Sequence, residues 1–239
     1  MTKNKSKSIR GIVVAIKANF LIVQIIFQDS KELDIDQNSE KIRLLCTRRG
    51  KLDYRGSPID VGDIVYVESI DYKNKRAVIS DVEPRQSFLK RPSVANVTLI
   101  AVCISVEDPL FNSEQTSRFL ITAESANIKP VIILTKIDLI NKNVLNFYIN
   151  KLKLWGYDSY AVSIKNHEGF DLIIERFRQS KLTVLAGPSG VGKTSLINHL
   201  IPSLSLPTSS VSKKLRRGIH TTRHVELFPI GNGSLLADT

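Results

Sequence analysis

Sulfur is scarce in this chain: its 239 residues carry two cysteines and one methionine. Two lone thiols, Cys46 and Cys103, make no disulfide framework and no metal-ligand spacing. Each sits inside an apolar run, so buried, reduced thiols in a cytosolic compartment are expected. Long apolar runs are missing as well. Met1 to Arg10 is basic, and the run after Gly11 is broken by Lys17, Asn19 and Gln24. That is a poor signal peptide and too polar for a spanning helix. A cytoplasmic, monomeric protein without membrane contact is the expectation. Internal repeats and low-complexity tracts are absent, apart from a short Ser-rich stretch from Ser203 to Ser212. Acidic residues fall short: 23 Asp and Glu face 34 Lys and Arg, a net charge of +11. The imbalance favours a polyanionic partner, namely RNA, DNA or an anionic membrane surface, over charge that serves solubility alone.

What is present reads as two regions. The hydrophobic share of 42% fits a folded chain, and the length allows one or two domains with real cores. Short Val- and Ile-rich runs at Ile12–Ile16, Phe20–Phe27, Ile42–Cys46, Ile64–Ile70 and Arg76–Val82 predict five strands. Five strands over residues 1–83 suit a small barrel of the oligonucleotide-binding (OB) type. Lys41, Arg43, Arg48, Arg49, Lys51 and Arg55 cluster around the third strand, and Tyr54 is placed to stack on a base. A generic barrel without a ligand is the alternative. Residues 84–93 hold Pro84 and Pro92 among basic residues and read as a linker.

From residue 94 to 239 strands and helices alternate, which predicts an α/β parallel sheet. Strands are expected at Val97–Val106, Pro130–Leu134, Ser159–Val162 and Leu182–Ala186. Helices are expected at Asn112–Asn127, where Asn112 and Gln115 resemble a capping box, and at Val144–Trp155, Phe170–Phe177 and Lys193–Ile201.

Two motifs carry the chemistry. Gly187, Pro188, Ser189, Gly190, Val191, Gly192, Lys193 and Thr194 fit the phosphate-loop pattern at every position, after a strand and before a helix. Its glycines let backbone amides wrap phosphate oxygens, and the helix offers free N–H groups and a positive dipole end. Lys193 is the point charge for the β- and γ-phosphates, and the Thr194 hydroxyl is a Mg²⁺ ligand. Thr135, Lys136, Ile137 and Asp138 follow the strand 130–134 and look like a guanine-reading motif. Asp138 accepts from guanine N1 and N2, which adenine cannot match. Ser163, after the strand 159–162, is a candidate for a second base-contacting loop.

The base motif precedes the phosphate loop, the reverse of the usual GTPase order. Reversal points to a circular permutation, which compact domains tolerate because chain ends lie at the surface. Residues 213–224 form the most basic stretch, where a first switch is expected. Thr221 or Thr222 there would sense Mg²⁺ and the γ-phosphate. Leu235 to Thr239 is an apolar run ending in Asp238-Thr239. It matches the start of a second switch, with Asp238 holding Mg²⁺ through water. On this reading the polypeptide is truncated there and hydrolyses poorly.

Taken together, these motifs resemble the RsgA (YjeQ) family of circularly permuted GTPases. The likeness extends over the barrel, the 84–93 stretch, Thr135 to Asp138, Gly187 to Ser195 and Gly218 to Thr222. It implies a GTP/GDP-binding enzyme with Mg²⁺ that acts on the small ribosomal subunit and its rRNA late in maturation. It also implies that His220 positions the attacking water, and that the family's zinc domain is missing here. The sequence departs from the family pattern at Arg223, where a third Thr is usual, and at Thr135, where Asn is common. Two other readings stay open at this point: an RNA-binding module with a passive nucleotide switch, and an ATP-using phosphate-loop enzyme.

Overall fold

The structure, a computed structural model, describes residues 8–18, 20–26, 42–49, 58–207 and 225–238. Among them, residues up to Asn96 together with Val225–Leu227 form one compact unit, and the others form a second.

The first unit is a closed barrel of β1 (Ile9–Lys17), β2 (Phe20–Ile25), β3 (Arg43–Arg48), β4 (Ile64–Asp71) and β5 (Arg76–Val82). Inward and outward positions alternate along β4 and β5, as β-branched residues on a half-buried pleat require. β1 pairs with β2, β2 with β3 and β4 with β5, all antiparallel, while β3 and β5 run parallel. β4 returns to β1 with Ile9 opposite Val67, so the ring closes and leaves no free edge. Its core packs Val13, Leu21, Val23, Leu44, Val65, Val67 and Ile79. This order is that of the OB barrel. Two of the arginines expected to form a binding cluster already have acidic partners: Arg43 lies 3.3 Å from Glu226 and Arg49 2.6 Å from Glu68. Lys41, Lys51, Tyr54 and Arg55 lie outside the described residues.

The stretch expected to be a linker is structured. β6 (Phe88–Lys90) and β7 (Ser93–Ala95) form an antiparallel hairpin. Just before it, Arg85 donates to both carboxylate oxygens of Asp63, at 2.8 and 2.7 Å, and to Asp60 at 2.9 Å. The Asp63 side chain is fully buried, so this cation is its charge partner. The Ala95 amide donates to Val61 O at 2.8 Å. Gly62 permits that approach: at φ +89° it adopts the left-handed region, and a Cβ there would stand 2.1 Å from Ala95 O. Proline and basic residues report local chain bias, whereas this tie runs to carboxylates 22 and 25 positions away.

The second unit is a twisted sheet flanked by helices. Its parallel strands are β8 (Leu99–Ser105), β9 (Pro130–Thr135), β10 (Ser159–Ala161) and β11 (Leu182–Ala186). β12 (Glu226–Gly231) leads through Asn232 and Gly233 into β13 (Ser234–Asp238), which lies parallel to β11. Asn232 and Gly233 have φ of +51° and +74°, the tight turn that suits a twisted hairpin. The sheet order is β10-β9-β8-β11-β13. β8 and β9 are buried at every position, which explains their unbroken apolar sequence. The helices are α1 (Ser113–Ser125), α2 (Lys142–Leu154), α3 (Phe170–Arg178) and α4 (Lys193–Leu200). Asn112 caps α1 through the Gln115 amide at 2.8 Å, as the spacing predicts, and Asn141 caps α2 through Val144. Leu99, Ile133, Phe177, Leu185, Leu196 and Leu236 anchor the core. No helix among the described residues is long and apolar enough to cross a membrane.

Candidate nucleotide site

Parallel strands carry all their C-terminal ends to one edge of the sheet, where open α/β folds bind ligands. Register fixes which residues meet there. Ser105 pairs with Thr135, Leu134 with Ala161, Ala186 with Val102 and Val184 with Ala237. The segment Thr135 to Asp138, the Ser163 loop, the phosphate loop and Asp238 therefore leave the sheet on the same side.

The phosphate loop needs its glycines. Gly187, Gly190 and Gly192 take φ of +136°, +86° and +94°. A Cβ on Gly187 would stand 2.2 Å from Cys103 O, a backbone atom that cannot give way. Beneath it, burial pushes the Cys103 thiol up to about 12, with Lys193 pulling weakly the other way. The first α-helical bond of α4 runs from Leu196 N to Gly192 O at 2.8 Å. The amides of Lys193, Thr194 and Ser195 precede it in the first turn of α4, where the helix itself supplies no acceptor. Lys193 Nζ donates to Gly187 O at 2.9 Å and Pro188 O at 2.7 Å, folded over the loop it serves. The Thr194 side chain is half-buried beside it.

The segment expected to read the base is tied to that loop. The Thr135 hydroxyl, 2% exposed, lies 2.6 Å from Val191 O and 3.0 Å from Ile104 O. One O–H serves one acceptor at a time, so Thr135 supplies part of what an amide side chain offers. Lys136 adopts the left-handed region at φ +55°, ψ +38°, turning the chain sharply between β9 and the 3₁₀ turn Ile137–Leu139. Asp138 accepts from Ser163 Oγ at 2.6 Å, and Ser163 Oγ accepts in turn from Asn166 N at 3.1 Å. Ser163 is fully buried. Asp138 is thus oriented through its Oδ1.

His220, Thr221 and Thr222 lie outside the described residues. Asp238 closes β13, half-buried, at the same edge as Thr194. Sequence reasoning missed Asp108, whose Oδ2 accepts from Lys136 Nζ at 2.8 Å. Its only sequence signal is position, in the loop that leaves β8 at this same edge.

A phosphate-loop motif after β11, the Thr135–Asp138 segment tied to it, and a chain order that reverses the usual one are the features of a circularly permuted phosphate-loop GTPase. Residues 82–239 match the RsgA GTPase family model. The chain belongs to the RsgA GTPase family. It is 73% identical over 239 residues, its full length and 77% of the relative's, to the small ribosomal subunit biogenesis GTPase RsgA of Prochlorococcus marinus strain NATL1A. The corresponding protein of Synechococcus sp. strain CC9605 is 49% identical over 96% of this chain and 73% of its own length. Among solved structures, YjeQ from Thermotoga maritima superposes with a TM-score of 0.76 at 26% identity, covering 97% of this chain and 74% of that one. YloQ, described as a circularly permuted GTPase, gives 0.73 at 28% identity over 100% and 73%.

Proposed function

We propose that this GTPase binds the small ribosomal subunit through its rRNA and hydrolyses GTP there late in maturation. The relatives' shared name and the charge of +11 support the partner. The observation that carries the nucleotide reading is the 2.6 Å contact from the Thr135 hydroxyl to Val191 O, which joins base-reading and phosphate-binding segments.

Guanine selection falls to Asp138, which Ser163 orients and whose carboxylate accepts from N1–H and N2–H. Lys193 exchanges its two carbonyl acceptors for phosphate oxygens, a stronger charge-assisted pairing. Loop amides and the first-turn amides of α4 stabilise the charge that develops on the γ-phosphoryl group. The Thr194 hydroxyl and Asp238 carboxylate are oxygen donors at one edge, the chemistry a hard cation requires. They would hold Mg²⁺, with Thr221 or Thr222, and the bound ion would neutralise phosphate charge. His220 would position the attacking water.

Single-turnover hydrolysis of GTP, with and without purified small subunits, tests this reading. The Lys193→Ala chain is expected to lose hydrolysis, and small subunits to accelerate the unmodified chain. Equal turnover in the Lys193→Ala chain would contradict the mechanism; no response to subunits would contradict the partner.

A further inference from the structure

The ion pair between Lys136 and Asp108 joins two loops that the fold brings together from separate strands. Lys136 Nζ lies 2.8 Å from Asp108 Oδ2. The Asp108 loop is itself held in place. Its amide donates to Ser105 Oγ at 3.2 Å, and Phe111 N donates to Val106 O at 3.0 Å. Next in the loop, Pro109 Cδ is the nearest heavy atom to the Cβ position of Gly190, at 3.9 Å. The loop therefore pairs with Lys136 and passes beside Gly190 of the phosphate loop.

The Asp108 side chain is 76% exposed and that of Lys136 29%. A pair this wet contributes little to folding. Its effect is on pose. Lys136 sits one residue into a left-handed turn, and its ammonium has Asp108 as its carboxylate partner. Holding the ammonium fixes the direction of the four-carbon stem, which otherwise samples many rotamers at an entropic cost on binding.

We propose that Asp108 is a positioning residue for nucleotide recognition: it anchors Lys136 so that the methylene stem lies across the face of the bound purine. This rests on the reading of Thr135 to Asp138 as the guanine-binding segment. A stem across the ring face does not distinguish ring edges, so Asp108 sets affinity, whereas Asp138 sets the choice of base.

The test is equilibrium binding of a ribose-labelled fluorescent GDP to the full chain, with GDP, IDP and ADP as competitors. Asp108→Ala is expected to weaken GDP and IDP by the same factor, about three- to fivefold, because IDP differs only at the edge that Asp138 reads. In a Lys136→Met background the same substitution is expected to change nothing. Asp108→Glu should restore most of the affinity, which a merely structural loss would not allow. Four results would overturn the proposal: unchanged affinity in Asp108→Ala; an equal loss in the Lys136→Met background; a shifted ratio of GDP to IDP; or no recovery in Asp108→Glu. ADP competing as well as GDP on the unmodified chain would overturn the base-reading itself, a result separable from the first four.

Discussion

Single residues at the sheet edge have consequences that can be measured one at a time. Thr135→Val removes the hydroxyl that joins the Thr135–Asp138 segment to the phosphate loop and keeps the shape. Its loss is expected to cost about 1 kcal/mol of stability and to weaken GDP binding, read by urea unfolding and titration. Unchanged GDP affinity would mean that the tie is only structural. Gly187→Ala places a Cβ against Cys103 O in a left-handed backbone. About 2–3 kcal/mol of destabilisation and loss of tight GDP binding are expected. The two thiols are the converse case. Burial pushes Cys46 and Cys103 each up to about 12, so neither is a nucleophile near neutrality. Iodoacetamide at pH 8 is expected to label the chain only after unfolding; rapid labelling of the native protein would show that these sites open.

Among the elements, the hairpin of β6 and β7 separates local from distant information. Arg85→Ala leaves Asp63 buried without its cation and is expected to destabilise the first unit by about 3 kcal/mol in urea. A loose linker would show no change. Nearby, Arg10 grips Glu83 with two hydrogen bonds, at 2.7 and 2.9 Å, and holds its carboxyl below the usual glutamate range. A depressed carboxyl stabilises the fold above its unfolded value, and that contribution is lost as pH falls through the folded value. Glu83→Gln is therefore expected to be less stable than the parent at pH 7 and to differ less from it in strong acid. Thermal melts across that range check the sign. The strands β8 and β9 were legible because burial on both faces needs an unbroken apolar run, which sequence displays directly. The caps at Asn112 and Asn141 involve partners three positions on, within reach of spacing rules. Arg85 was not legible as an anchor, because its carboxylates are made neighbours by the barrel and not by the chain. β12 escaped for another reason: Pro229 interrupts the strand pattern.

For the whole molecule, the reversed order of two motifs said more about function than composition did. Thr135 to Asp138 and Gly187 to Thr194 were readable separately, and register puts both at the C-terminal edge of one sheet. Their mutual contact, through Thr135 and Val191, was not readable, nor was the pairing of Lys136 with Asp108. The excess positive charge predicts that binding to RNA weakens steeply with salt, with a log–log slope that grows with the number of phosphates neutralised. Arg43 and Arg49 already face Glu226 and Glu68, so charge-neutral substitutions there are expected to change that slope less than the cluster's sequence suggests. The permuted chain is expected to build a guanine-selective phosphate-loop site. Competition of GDP and ADP for a fluorescent GDP analogue, with Mg²⁺, tests it most directly. Displacement by GDP alone is the expected result; equal displacement by ADP would contradict the assignment of Asp138 and the site built around it.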